Sequence, residues 1–102
     1  MRVLLVEDDP AVALVLEMAL TRAGHQVHLA RDFPTAKARL AEPWDAIVLD
    51  LNLPGGFGLD LLRHLRQDLG KATPVIILSG LKQKDFQAPF PHPSIMKPDG
   101  HM

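Results

Sequence analysis

Three short runs in this chain are apolar throughout, Val3-Leu4-Leu5-Val6, Ala46-Ile47-Val48-Leu49 and Val75-Ile76-Ile77-Leu78. A fourth, Val27-His28-Leu29-Ala30, is broken only by a histidine. Continuous rather than alternating apolarity marks strands covered on both faces, as in a parallel sheet held between helices. Between the runs the apolar spacing lengthens. Val12, Leu14, Val15, Leu16, Met18, Ala19 and Leu20 crowd residues 10–23, while Leu59, Leu61, Leu62, Leu65 and Leu69 recur at helical intervals. The punctuation agrees: Asp9 is a helix cap, Pro10 suits a first helical position where a missing N–H costs nothing, and Gly24 and Gly70 are left-handed stops. A modest helix is predicted over residues 35–41, after Pro34 and before Pro43. Residues 52–58 read as a Gly/Pro loop, and Pro74 opens the strand at 75–78.

Strands alternating with helices imply parallel pairing through right-handed crossovers, hence a doubly wound α/β domain. The pattern breaks after residue 80. Pro89, Pro91 and Pro93 confine any helix in that stretch to a turn or two around residues 82–87. A fifth strand is predicted at residues 94–97, after which no length is left for a closing helix.

Composition narrows the reading further. The 102 residues fit one domain. Hydrophobic residues make up 47% and aromatic ones 5%, so the core is expected to be aliphatic. A formal net charge of −1 argues against a surface that grips nucleic acid through its phosphates. No apolar run approaches the ~20 residues of a membrane span. Met1-Arg2 leads straight into the first strand without signal-peptide architecture, and the absence of cysteine excludes disulfides and thiolate metal sites. A cytoplasmic address is expected.

The chemistry lies at the strand ends. In open parallel sheets, ligands bind outside the carboxyl ends of the strands. Glu7 and Asp8 follow the first strand, Asp50 the third, Ser79 the fourth and Lys97 the fifth, so all five are expected to converge on one edge. Close carboxylates repel by about 4 kcal/mol per pair at an effective dielectric of ~20, so such a cluster calls for a cation. Hard oxygen ligands with open positions favour Mg²⁺. Lys97 as a compact cation and Ser79 as a hydroxyl donor complete a phosphoryl site. Asp50 is suited to act as nucleophile and form an aspartyl-phosphate, with the metal and Lys97 stabilising the transition state. Histidines 25, 28, 64, 92 and 101 show no ligand spacing beyond the His25/His28 pair, which reads as solvated strand residues. Trp44, before the third strand and at the end opposite Asp50, is given a packing role.

Four segments in register carry a family resemblance. They are Leu4-Leu5-Val6-Glu7-Asp8-Asp9-Pro10, residues 47–58 from Ile47 through Asp50 to Gly58, Ile76-Ile77-Leu78-Ser79-Gly80, and Met96-Lys97-Pro98. Together they resemble the receiver domain of bacterial two-component response regulators. The resemblance implies a flavodoxin-like, doubly wound parallel five-stranded sheet in the order 2-1-3-4-5, over residues 1–98, with residues 99–102 as a tail. By it Asp50 is the phosphoacceptor, Asp8 the principal Mg²⁺ ligand, Glu7 its partner through water, and the backbone carbonyl of Asn52 a further ligand. Ser79 and Lys97 contact the phosphoryl group. The donor is a phosphohistidine on a sensor histidine kinase or phosphotransfer protein, and the domain catalyses only its own phosphorylation and dephosphorylation.

The sequence departs from the family toward its end. Ser94 stands where the family's switch has an aromatic ring, the fourth helix is expected to be reduced and the fifth missing. Since helix one is apolar around most of its circumference, a homodimer through that helix and the uncovered sheet is expected, with no direct contact to DNA or membrane. Two other readings are a receiver-derived dimerising module without phospho-signalling and a phosphate sink that drains a kinase.

Overall fold

The apolar runs pair side by side in the computed structural model, which describes residues 1–78. In chain order the elements are β1 (Arg2–Val6), α1 (Pro10–Arg22), β2 (Gln26–Ala30), α2 (Phe33–Arg39), β3 (Ala46–Leu49), β4 (Asn52–Leu53), β5 (Gly56–Phe57), α3 (Gly58–Arg63) with a π-helical turn at His64–Asp68, and β6 (Val75–Ile77). The main sheet runs β2-β1-β3-β6, with every pair parallel. Setting aside the tiny β4–β5 hairpin, this is the expected order 2-1-3-4. The fifth strand and the reduced fourth helix fall on residues outside those described.

Register explains why the runs are apolar throughout. Val3 pairs with Ala46, Leu5 with Val48 and Val6 with Leu49. Leu4, Val6, Ile47 and Leu49 therefore point to one face, where Ala36, Leu40, Trp44, Leu61 and Leu65 cover them. Val3, Leu5, Ala46 and Val48 point to the other, against Leu16 and Leu20 of α1. Each fully buried side chain of this size contributes about 1.5–3 kcal/mol.

The helix ends follow their caps. Asp9 accepts the N–H groups of Ala11 and Val12, with Pro10 opening α1, and Gly24 at φ +94° follows its end. Helix α2 starts two residues earlier than its prolines suggest. Asp32 caps it by accepting Thr35 N–H at 2.8 Å, and Pro34 sits in the first turn, where no helical hydrogen bond is lost. At its far end Lys71 Nζ donates to the carbonyls of Leu40, Ala41 and Glu42, satisfying acceptors that the helix leaves over.

Two expectations need correcting. The helix of the leucine row is not α-helical to its end: Leu69 N–H reaches back to His64 O at 3.0 Å, and Arg66 draws in the carbonyls of Lys71 and Thr73 beyond it. Leucines four apart fit either helix, so their spacing does not register the change. His28 is not a solvated strand residue. Its ring packs edge-on against Trp44, centroids 5.3 Å apart, on the half-buried flank of β2. Trp44 itself packs as anticipated, buried, with Nε1 donating to Arg39 O at 2.7 Å and the Arg2 guanidinium 4.1 Å from its ring centroid.

Candidate functional site

The site is made where two neighbouring strands end. The β1–β3 ladder continues one residue past both strands, with Asp50 N–H donating to Val6 O at 2.9 Å, and on the other side of β1 the Glu7 N–H donates to Ala30 O of β2 at 3.0 Å. Backbone pairing alone thus sets Glu7 beside Asp50, and Asp8 follows at the mouth. One carboxylate oxygen from each of Glu7, Asp8 and Asp50 lies within 4.8 Å of the other two. Glu7 is 0% and Asp50 2% exposed, while Asp8 is half-buried.

Local hydrogen bonds orient the carboxylates. Glu7 Oε2 accepts Asp9 N–H at 2.9 Å, and Asp50 Oδ1 accepts Asn52 N–H at 3.1 Å. The next acid, Asp9, turns away to cap α1, whose amino end also favours negative charge nearby. Asp50 is roofed by its own loop. Gly58 N–H donates to Leu51 O at 2.9 Å, and a Cβ on Gly58 would fall 2.7 Å from Asp50 O and 2.6 Å from Leu51 Cα, so only glycine lets the chain close there.

Between Asp50 and α3 the loop forms the β4–β5 hairpin, Asn52 opposite Phe57 and Leu53 opposite Gly56. The expected Gly/Pro loop over residues 52–58 thus contains a short hairpin. Its signal was Pro54-Gly55, the pair that suits the centre of a tight turn needing positive φ at its second position, and Gly55 has φ +90°. An open groove of ≈ 260 Å³ lies along the hairpin, lined by Asp8, Asn52, Leu53, Pro54, Gly56 and Phe57. Phe57 stands at its rim, 73% exposed.

An all-oxygen donor set, two members buried and one at the mouth, fits a hard divalent cation such as Mg²⁺ that keeps open positions for water and a phosphate oxygen. No histidine joins the cluster among the described residues. Of the six site residues read from the sequence, the fold gathers Glu7, Asp8, Asp50 and Asn52. Ser79 and Lys97 lie outside the described residues.

The sequence matches the family described as response regulator receiver domain over residues 3–89. The chain belongs to that family. Among related receivers, the phosphate regulon transcriptional regulatory protein PhoB of Escherichia coli is 35% identical over 86 residues, covering 82% of this chain and 38% of that protein. The cell cycle transcriptional regulator CtrA of Caulobacter vibrioides is 43% identical over 88 residues, covering 83% of this chain and 37% of that protein. The chain thus spans well under half the length of these regulators. Among solved structures, the receiver domain of the sensor histidine kinase PA1611 from Pseudomonas aeruginosa, with a magnesium ion coordinated in its active site cleft, superposes with a TM-score of 0.72. It is 34% identical, over 84% of this chain and 73% of that one. The receiver domain of Francisella response regulator 1452 gives a TM-score of 0.72 at 31% identity, over 83% of this chain and 70% of that one. This receiver is a domain of two-component systems, and no helix among its described residues is long and apolar enough to cross a membrane.

Proposed function

We propose that this receiver works in the cytoplasm, where it accepts a phosphoryl group on Asp50 from a phosphohistidine of a sensor histidine kinase or phosphotransfer protein, with Mg²⁺, and signals by protein–protein contact. The observation that carries the reading is the convergence of Glu7, Asp8 and Asp50 within 4.8 Å at the carboxyl edge of the sheet. In the transfer, an Asp50 carboxylate oxygen forms a bond to phosphorus as the phosphorus–nitrogen bond breaks, and the departing imidazole keeps the electron pair and takes up a proton. Asp8 and Asp50 would hold the metal, with Glu7 as their partner through water and the Asn52 carbonyl as a further ligand. Bound Mg²⁺ supplies charge to offset that on the transferring oxygens. Ser79 and Lys97 are assigned the phosphoryl contacts. The magnesium ion reported in the cleft of the PA1611 receiver supports the metal assignment.

The test is intact mass after incubation with a small phosphodonor and Mg²⁺. Wild type gains one phosphoryl group and Asp50→Asn gains none; an unmodified wild type overturns the reading.

The same measurement combined with sedimentation separates signalling from a sink. We assign the outward face of α1 to self-association, because Leu14, Val15 and Met18 are exposed there and Ile76 is exposed on the same side of the sheet. Glu17 and Arg22 line one groove with Leu14 and Met18, so a two-fold related copy can set acid against base. A strict monomer at high micromolar concentration removes this assignment, and phosphorylation without any change in association points to a sink.

A further inference from the structure

Phe33 is the first residue of α2, directly after the Asp32 cap, and it meets the loop that leaves the acidic site. Its N–H donates to Pro54 O at 3.0 Å. Its half-buried ring lies against Gly56, where a Cβ would come within 2.6 Å of Phe33 Cδ2 and 2.7 Å of Cγ. Both distances are well inside van der Waals contact. The ring therefore occupies the volume that any side chain at position 56 would need. Gly56 is not required for backbone freedom, since the positive-φ glycines among the described residues are Gly24, Gly55 and Gly70. It is required for close approach.

The contact continues to the site through backbone pairing. Gly56 opposes Leu53 and Phe57 opposes Asn52 across the hairpin. The Asn52 N–H in turn holds Asp50 Oδ1 at 3.1 Å, and Asn52 and Gly56 line the same groove as Asp8. The hairpin has only two residues per strand and no side-chain cap on the helix that follows it, so little of its own structure fixes it.

We infer that Phe33 is a positioning residue for the acidic site: its ring on Gly56 and its N–H on Pro54 set the β4–β5 hairpin, and through it the Asn52 backbone beside Asp50. Phe33 touches no reacting atom. Its consequence for metal binding rests on the phosphoacceptor reading above, whereas its effect on the Asn52 backbone does not.

Wild type, Phe33→Ala, Gly56→Ala and the double variant are compared by Mg²⁺ titration calorimetry and by hydrogen exchange at the Asn52 amide, read relative to the β1 amides. Phe33→Ala removes the seat and Gly56→Ala drives the ring off it. Each weakens Mg²⁺ binding by about tenfold, the lower end of what lost outer support costs a metal site, and speeds exchange at Asn52. In the double variant no ring remains to collide with, so its loss is about that of Phe33→Ala alone rather than the product of the two. Leu65→Ala weakens the core alone and is expected to keep both Mg²⁺ affinity and relative Asn52 protection. If Gly56→Ala does not fold, Phe33→Leu takes its place and falls between wild type and Phe33→Ala. Wild-type affinity and protection in Phe33→Ala overturn the inference, as does an equal Mg²⁺ loss in Leu65→Ala. A wild type that binds no Mg²⁺ defeats the phosphoacceptor reading separately, and the Asn52 exchange pattern then decides the positioning role.

Discussion

Glu42 accepts hydrogen bonds from Arg39 Nε at 3.0 Å and Arg2 Nη2 at 2.8 Å, and these hold its carboxyl down at about 2, below its ordinary 4.5. Because the folded value is depressed, the stability this group lends is present above pH 4.5 and is lost as the pH falls from 4.5 toward about 2. Glu42→Gln should flatten that part of the acid-unfolding curve by losing the same stability at neutral pH, a small amount because its ion pairs are partly exposed. Trp44 provides the readout, since the Arg2 guanidinium that Glu42 holds lies over its ring. Its emission is expected to change across the same acid interval and to ignore Mg²⁺, because roughly 20 Å of extended chain separates Trp44 from Asp50. At this scale the sequence was informative wherever a residue's role is local. Asp9 as a cap, Gly24 and Gly70 as stops, and the acids at strand ends follow from neighbours a few positions away. His28 did not follow, because its partner Trp44 comes from a different segment.

Among the elements, α3 shows how far a hydrophobic row can be read. Leu59, Leu61, Leu62 and Leu65 look alike in sequence, but Leu61 and Leu65 are each 1% exposed and Leu59 is 59% exposed. Leu61→Ala should therefore cost about 2–5 kcal/mol, and Leu59→Ala should stay within about 0.5 kcal/mol, both measured by urea denaturation. Equal losses would contradict the packing. Helix α2 carries the same lesson at its start. Two prolines suggested where it could not be, and the hydrogen bond from Thr35 N–H to Asp32 decided where it begins. The β4–β5 hairpin is too short for periodicity to show, and only its Pro-Gly centre was legible.

For the whole molecule, folding and the candidate site are coupled through charge. Bringing Glu7, Asp8 and Asp50 together opposes folding, and a cation bound only by the folded state favours it. Adding Mg²⁺ at about 100 times its dissociation constant should raise stability by about 2.7 kcal/mol, and Asp8→Asn should lose most of that gain; thermal unfolding with and without Mg²⁺ measures both. A melting temperature indifferent to Mg²⁺ in the wild type would remove the metal from the account. The sequence by itself determined the four strands of the main sheet, the Asp9 cap and which chemical groups stand at the strand ends, because apolar runs, capping residues and turn glycines act over a few neighbouring positions. It also carried the family resemblance, in motifs that keep their order along the chain. The strand order came with that resemblance, whereas only the tertiary structure decided that the ladder runs one residue past Val6 and Leu49 to set Glu7 against Asp50, and that Phe33 rests on Gly56. Those are relations between distant segments, fixed when both faces of the sheet are buried at once, and no local pattern encodes them.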